Sequence, residues 1–100
     1  MQVIRRTMRH LFKTHKDPFI ALWLGNKKAD LRDVSDRDKK PVLGDIVLFS
    51  EIDETGKDTH RMLECIVTHI QTGYILGPDQ ISMSVEIIER HDYQLTEQSK

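Results

Sequence analysis

The 100 residues hold a single cysteine, Cys65, so no disulfide closes within the chain and a cross-linked secreted framework is excluded. Proline and glycine are scarce, at 3 and 5 residues. No Pro- or Gly-rich linker divides the chain, and a chain of this length buries one modest core, not two. No run of about 20 apolar residues is present to form a membrane-spanning helix. Residues 1–10 carry Arg5, Arg6 and Arg9 but neither a continuous apolar segment nor a small-residue cleavage site, so they do not read as a secretory leader. These absences make the cytoplasm the expected location, with no membrane partner.

Enzyme signatures are missing too. There is no Gly-rich phosphate loop, no Gly-x-Ser-x-Gly elbow and no Cys/His nucleophile pair that the sequence places together. The five histidines, at 10, 15, 60, 69 and 91, show neither helical i,i+4 pairing nor the Cys/His spacing of a zinc site. No metal and no cofactor is implied.

What is present is enough to fold. Apolar residues make up 38% and charged residues 31%, well clear of the low-hydrophobicity, high-net-charge pattern of disorder. The net charge of −1 hides a division: residues 1–44 hold 11 Lys/Arg against 5 Asp/Glu, and residues 45–100 hold 4 against 11. The basic N-terminal half hints at an anionic partner. One monomeric domain is expected over residues 1–92, with 93–100 a polar, flexible C-terminal tail.

Along the chain, residues 8–15 read as a strand. Asp17-Pro18 reads as a helix start, with Asp17 capping free donors and Pro18 at the first helical position. The apolar run Phe19, Ile20, Leu22, Trp23, Leu24 follows, and Gly25 or Asn26 closes the helix in a left-handed conformation. A strand is expected over 27–33, a charged loop over 35–41 and a strand over 46–52. Residues 53–57 carry a hairpin signal around Gly56, strands follow over 59–70 and 82–90, and 73–78 reads as a lid or a crossing of the barrel mouth. Leu11, Phe19, Leu22, Leu31, Ile46, Leu48, Leu63, Cys65, Val67, Val85 and Ile87 are the expected core.

The stretch from Gly25 to Asp33 is the centre of this organisation. On a strand, Ala29 and Leu31 point to one face, while Lys28, Asp30 and Arg32 point to the other. The expectation is that Ala29 and Leu31 pack, and that Asp30, held between cations, leaves Arg32 free to present its planar donor fork outward. The competing reading is a solvated edge strand whose charges block pairing. Apolar residues on both faces of several short strands suggest an α+β fold: a small, partly closed β-barrel of five or six strands with one or two short helices.

Several segments carry a resemblance: His10-Leu11-Phe12-Lys13, Leu24-Gly25, Lys27-Lys28-Ala29-Asp30-Leu31-Arg32, Asp36-Arg37-Asp38, Leu43-Gly44-Asp45, Glu51, Thr55-Gly56 and Met83-Ser84-Val85-Glu86. With them, residues 10–88 resemble an ASCH domain of the PUA-like superfamily, in its short bacterial and phage subgroup. The resemblance implies a β-barrel with a cleft lined by the Lys/acid/Arg segment, in a superfamily concerned with RNA. It also implies a comparison with a branch that hydrolyses N4-acetylcytidine through a lysine, a threonine and a glutamate. Lys27 matches the lysine, but Asp30 stands where that branch has its threonine.

Two functions follow as expectations. The first is an RNA-binding or modified-nucleotide-binding module using Lys27, Lys28, Asp30, Arg32, Arg37, Lys39, Lys40 and Tyr74, with cations on phosphates and Arg32 or Tyr74 on a base. The alternative is a small amidohydrolase-like enzyme or ribonuclease, with Lys27 and Asp30 as its catalytic pair.

Overall fold

A computed structural model of the chain describes residues 7–73 and 75–93. Its elements are strand β1 (Arg9–His15), helix α1 (Lys16–Trp23) and strands β2 (Ala29–Asp33), β3 (Ile46–Ile52), β4 (Asp58–Gln71) and β5 (Gln80–Asp92). The five strands form one sheet in the order β1-β3-β4-β5-β2. β1 runs parallel to β3, and every other neighbouring pair is antiparallel. The sheet curls into a half-barrel whose two edge strands, β1 and β2, are bridged by side-chain hydrogen bonds from Arg32.

Helix α1 begins earlier than its sequence suggests. His15 occupies the N-cap without a side-chain cap bond, which places Asp17 and Pro18 inside the first turn. Pro18 is tolerated there because the first four helical N–H groups lack intrahelical partners, and the charge of Asp17 favours the positive end of the helix dipole. The C-terminus follows expectation. Gly25 takes φ +79°, its N–H donates to Leu22 O, and that of Asn26 donates to Ala21 O, the paired closure of a Schellman motif. Phe19 and Leu22, three residues apart, are both buried, so the helix seals the open side of the half-barrel.

The core comprises Phe12, Phe19, Leu22, Val34, Val47, Phe49, Leu63, Cys65, Val67, Ile81, Met83 and Val85. Phe19, Leu22, Leu63, Cys65, Val67 and Val85 are as expected, and Ile87 packs against the cluster from a half-buried position. Three strands present the opposite face. Leu11 is 50% exposed and Leu31 56%, while Ile46 and Leu48 are half-buried. The residues facing inward are His10, Phe12 and Thr14 on β1, Asp30 on β2, and Val47 and Phe49 on β3. A shift of one residue in strand phase exchanges the two faces completely.

The hairpin after β3 forms as its sequence indicates. Gly56 has φ +86°, and Asp53 Oδ1 accepts from the N–H groups of Thr55 and Lys57. These bonds hold the Asp53 carboxyl below its ordinary range, with the Thr55 side chain contributing most. β4 and β5 are antiparallel neighbours with Gln71 opposite Ser82, so the connection between them joins adjacent strands and is not a crossing from one side of the barrel to the other. The expected flexible tail falls mainly on residues 94–100, which lie outside the described residues. Among the described residues no helix is long and apolar enough to cross a membrane.

Candidate functional site

The seam between the two edge strands holds the side chains singled out by the sequence. Asp30 is buried at 3% exposure, and both of its oxygens are occupied: Lys27 Nζ lies 3.5 Å from Oδ1, and Arg32 Nε donates to Oδ2. Arg32 Nη1 donates to Lys13 O and Nη2 to Thr14 Oγ1, each at 2.9 Å. Its guanidinium also lies 5.1 Å from the ring centre of Phe12 and 5.7 Å from that of Phe49. The fork is turned inward onto β1, which corrects the expectation that it projects outward. The cause is topological: β1 and β2 are the sheet edges, and a long planar donor joins them where backbone pairing does not.

Two cavities flank this cluster. A charged cleft of about 300 Å³ is lined by Lys13, His15, Pro18, Lys27, Asp30 and Arg32 among others. A mainly apolar cavity of about 220 Å³ lies under the end of the helix, walled by Leu22, Leu63, Cys65, Val85 and Ile87, with Lys27, Lys28 and Glu86 also lining it. Lys27 therefore lines both spaces, and at 38% side-chain exposure its ammonium remains accessible. Burial pushes the Cys65 thiol up from 9.0 to about 12, so this wall carries no thiolate at neutral pH.

Of the other predicted site residues, Lys28 is exposed and precedes β2. Arg37 is tied to β1: Nη2 donates to Leu11 O at 2.7 Å, and its guanidinium sits 3.7 Å from the ring centre of Phe12. Lys39 and Lys40 are exposed in the connection between β2 and β3, and Lys40 Nζ is 3.5 Å from Asp79 Oδ1. Neither lines the two cavities beside Lys27. Tyr74 lies outside the described residues. The fold thus gathers Lys27, Lys28, Asp30 and Arg32, and keeps Lys39 and Lys40 apart from them.

Sequence reasoning missed three further groups. Thr14 completes the Arg32 seam from β1. Glu51 is buried at 1% exposure and receives a two-pronged bond from Arg61, Nε to Oε1 and Nη2 to Oε2, both at 2.8 Å. Arg61 lies 5.6 Å from the ring centres of both Phe19 and Trp23, so this pair props helix α1 on the sheet. Finally, His10 Nε2 donates to Asp45 Oδ2 at 2.9 Å, and Asp45 also accepts from the Val42 and Met8 N–H groups. The Gly44-Asp45 motif is accordingly an anchor for β1. His10 and Gly44-Asp45 both stand among the segments that carry the resemblance, but nothing in the sequence discloses that His10 and Asp45, 35 residues apart, are partners. The chain matches no protein-family model and no curated protein.

Proposed function

We propose that the chain is an RNA-binding or modified-nucleotide-binding module of ASCH-like, PUA-like type, acting as a cytoplasmic monomer through the cleft beside Lys27. The observation that carries the reading is the position of Lys27 on both an apolar cavity of about 220 Å³ and a charged cleft of about 300 Å³. A nucleotide has the same division: a flat, largely apolar base and an anionic phosphate. A concave apolar space with a few converging cations suits such a ligand. Lys27 and Lys28 are assigned to phosphate, and the apolar wall to the base.

Two features count against the hydrolase alternative. Both Asp30 oxygens are engaged by cations, so Asp30 has no free oxygen directed at a substrate. The buried Glu51 is clamped by Arg61 and lines a different cavity from Lys27.

The test is fluorescence anisotropy of a labelled single-stranded RNA with wild type and Lys27→Ala/Lys28→Ala over a salt series. The expected result is low-salt binding that weakens at least tenfold in the double variant, with the salt slope reduced by about 1–2 units. Absence of RNA binding at low salt, or equal binding by the double variant, overturns the proposal. Incubation with N4-acetylcytidine should yield no cytidine; turnover abolished by Lys27→Ala would establish the hydrolase instead.

A further inference from the structure

The sheet face turned away from the core carries a second cluster, unrelated to the Lys27 cleft. Glu64 on β4 stands directly opposite Glu89 on β5 in the strand register. His91, two residues further along β5, points to the same side as Glu89. His91 Nε2 lies 3.2 Å from Glu64 Oε1 and 3.3 Å from Glu89 Oε2, and one donor atom from each of the three residues falls within 4.8 Å of the others. Neighbouring donors around a tetrahedral ion with bonds of about 2.0–2.1 Å stand roughly 3.3 Å apart, so the spacing already suits a shared cation.

Two further features set this cluster apart from an ordinary acidic surface. Carboxylates placed directly opposite each other on neighbouring strands repel, and a cation between them reverses that cost. The adjacent Arg9, 3.5 Å from Glu64 Oε2 and 58% exposed, is a loose partner on a long stem. The His91 ring, in addition, is held from outside the cluster. It stacks on Tyr93 with centroids 5.9 Å apart and planes 12° apart, and Tyr93 Oη lies 3.4 Å from Nδ1. Tyr93 Oη beside Nδ1 thus fixes the ring from outside with Nε2 facing the carboxylates, the arrangement by which an outer partner orients a ligating histidine; Nε2–H donates to them in the metal-free chain, and a bound cation takes the place of that proton.

We propose that Glu64, Glu89 and His91 form a binding site for a divalent first-row cation of the Zn²⁺ type, with one imidazole nitrogen and two carboxylate oxygens as ligands and water completing the shell. The imidazole selects such ions over Mg²⁺ and Ca²⁺, which prefer all-oxygen shells. Linear spacing could not disclose the site, because the ligands meet only through the pairing of β4 with β5.

Calorimetric titration of the full chain with zinc chloride and with magnesium chloride tests this, using wild type, Glu89→Gln, His91→Gln and, as a control at another exposed histidine, His69→Gln. Glu89 is 62% exposed, so Glu89→Gln leaves the fold intact, and the metal-free melting midpoint of each variant verifies folding. Expected are one Zn²⁺ per chain, a loss of tenfold or more in affinity for Glu89→Gln and His91→Gln, no change for His69→Gln, and Mg²⁺ binding at least tenfold weaker than Zn²⁺. Zn²⁺ affinity unchanged by Glu89→Gln, or lost equally in His69→Gln, overturns the proposal, as does equal affinity for Mg²⁺.

Discussion

Arg32 directs three N–H groups to three separate acceptors, Asp30 Oδ2, Lys13 O and Thr14 Oγ1. A lysine is a point charge on a flexible stem and cannot reproduce that fork. Arg32→Lys should therefore destabilise the free protein by about 1–3 kcal/mol, measured by urea unfolding without ligand; an unchanged midpoint would mean that the seam does not depend on the guanidinium. That Asp30 and Arg32 share a strand face was legible from their i,i+2 spacing. The direction of that face was not, because the acceptors belong to a strand 18 or 19 residues away. Cys65 gives a second prediction at this scale. Its thiol is raised from 9.0 to about 12, chiefly by burial, with Arg90 opposing. Above about pH 9 the unfolded chain releases this proton while the folded chain retains it, so the contribution to stability is present at neutral pH and is lost as pH rises toward 12. Cys65→Ala should flatten the alkaline fall of the urea midpoint. The folded wild type should resist thiol-labelling reagents at neutral pH.

At the scale of elements, the types were legible and three of the faces were not. β3 lies at 46–52 as its sequence indicates, because turn residues bound an apolar run. The run Ile46-Val47-Leu48-Phe49 is apolar at every position, however, and period-two alternation cannot choose between its halves. β1 has the same ambiguity, with Leu11 beside Phe12. On β4, where Glu64 separates Leu63 from Cys65 and Thr68 follows Val67, the expected face is the observed one, although Met62 and Ile66 are apolar on the other. In β2 the inward position holds Asp30 and the outward one Leu31, a reversal set by the bridge to β1. The consequence is measurable: Phe49→Ala should cost about 3–5 kcal/mol, and Leu48→Ala, on the half-buried face, clearly less. A larger loss for Leu48→Ala would reverse the assignment of faces. Helix closure offers a separate check. Gly25 at φ +79° has nothing within 4 Å of a built Cβ, so Gly25→Ala should cost about 1 kcal/mol through backbone strain alone.

At the scale of the whole molecule, the division of charge in the sequence becomes a division in space. The strand order β1-β3-β4-β5-β2 puts the two strands of the basic half at opposite edges of the sheet and fills the middle from the acidic half. Curling brings those edges to the seam, where Lys13, Lys27 and Arg32 line the cleft, while Glu64 and Glu89 lie on the outer face. Glu64 and Glu89 thus stay clear of the cleft, whereas Asp30 and Asp33 line it beside the cations and Glu86 of the acidic half borders the apolar cavity next to Lys27 and Lys28, so the positive field that an anionic ligand meets is partly offset. Lys39 and Lys40 are a different case. They lie outside both cavities, and the Lys40–Asp79 pair, with both side chains about half exposed at 3.5 Å, is too solvated to hold Lys40 back from a phosphate. If they contribute to RNA binding, they do so as point charges through counterion release, which carries no base information. Lys39→Ala/Lys40→Ala should weaken a preferred RNA and a scrambled control by the same factor and lower the salt slope by about 1–2 units for both. Lys27→Ala/Lys28→Ala should weaken the preferred RNA more than the control, because Lys27 also borders the apolar wall assigned to the base. Anisotropy with the two RNAs across one salt series separates the outcomes. Equal loss on both RNAs from the Lys27 pair, together with selective loss from the Lys39 pair, would move the recognition surface from the cleft to the connection between β2 and β3.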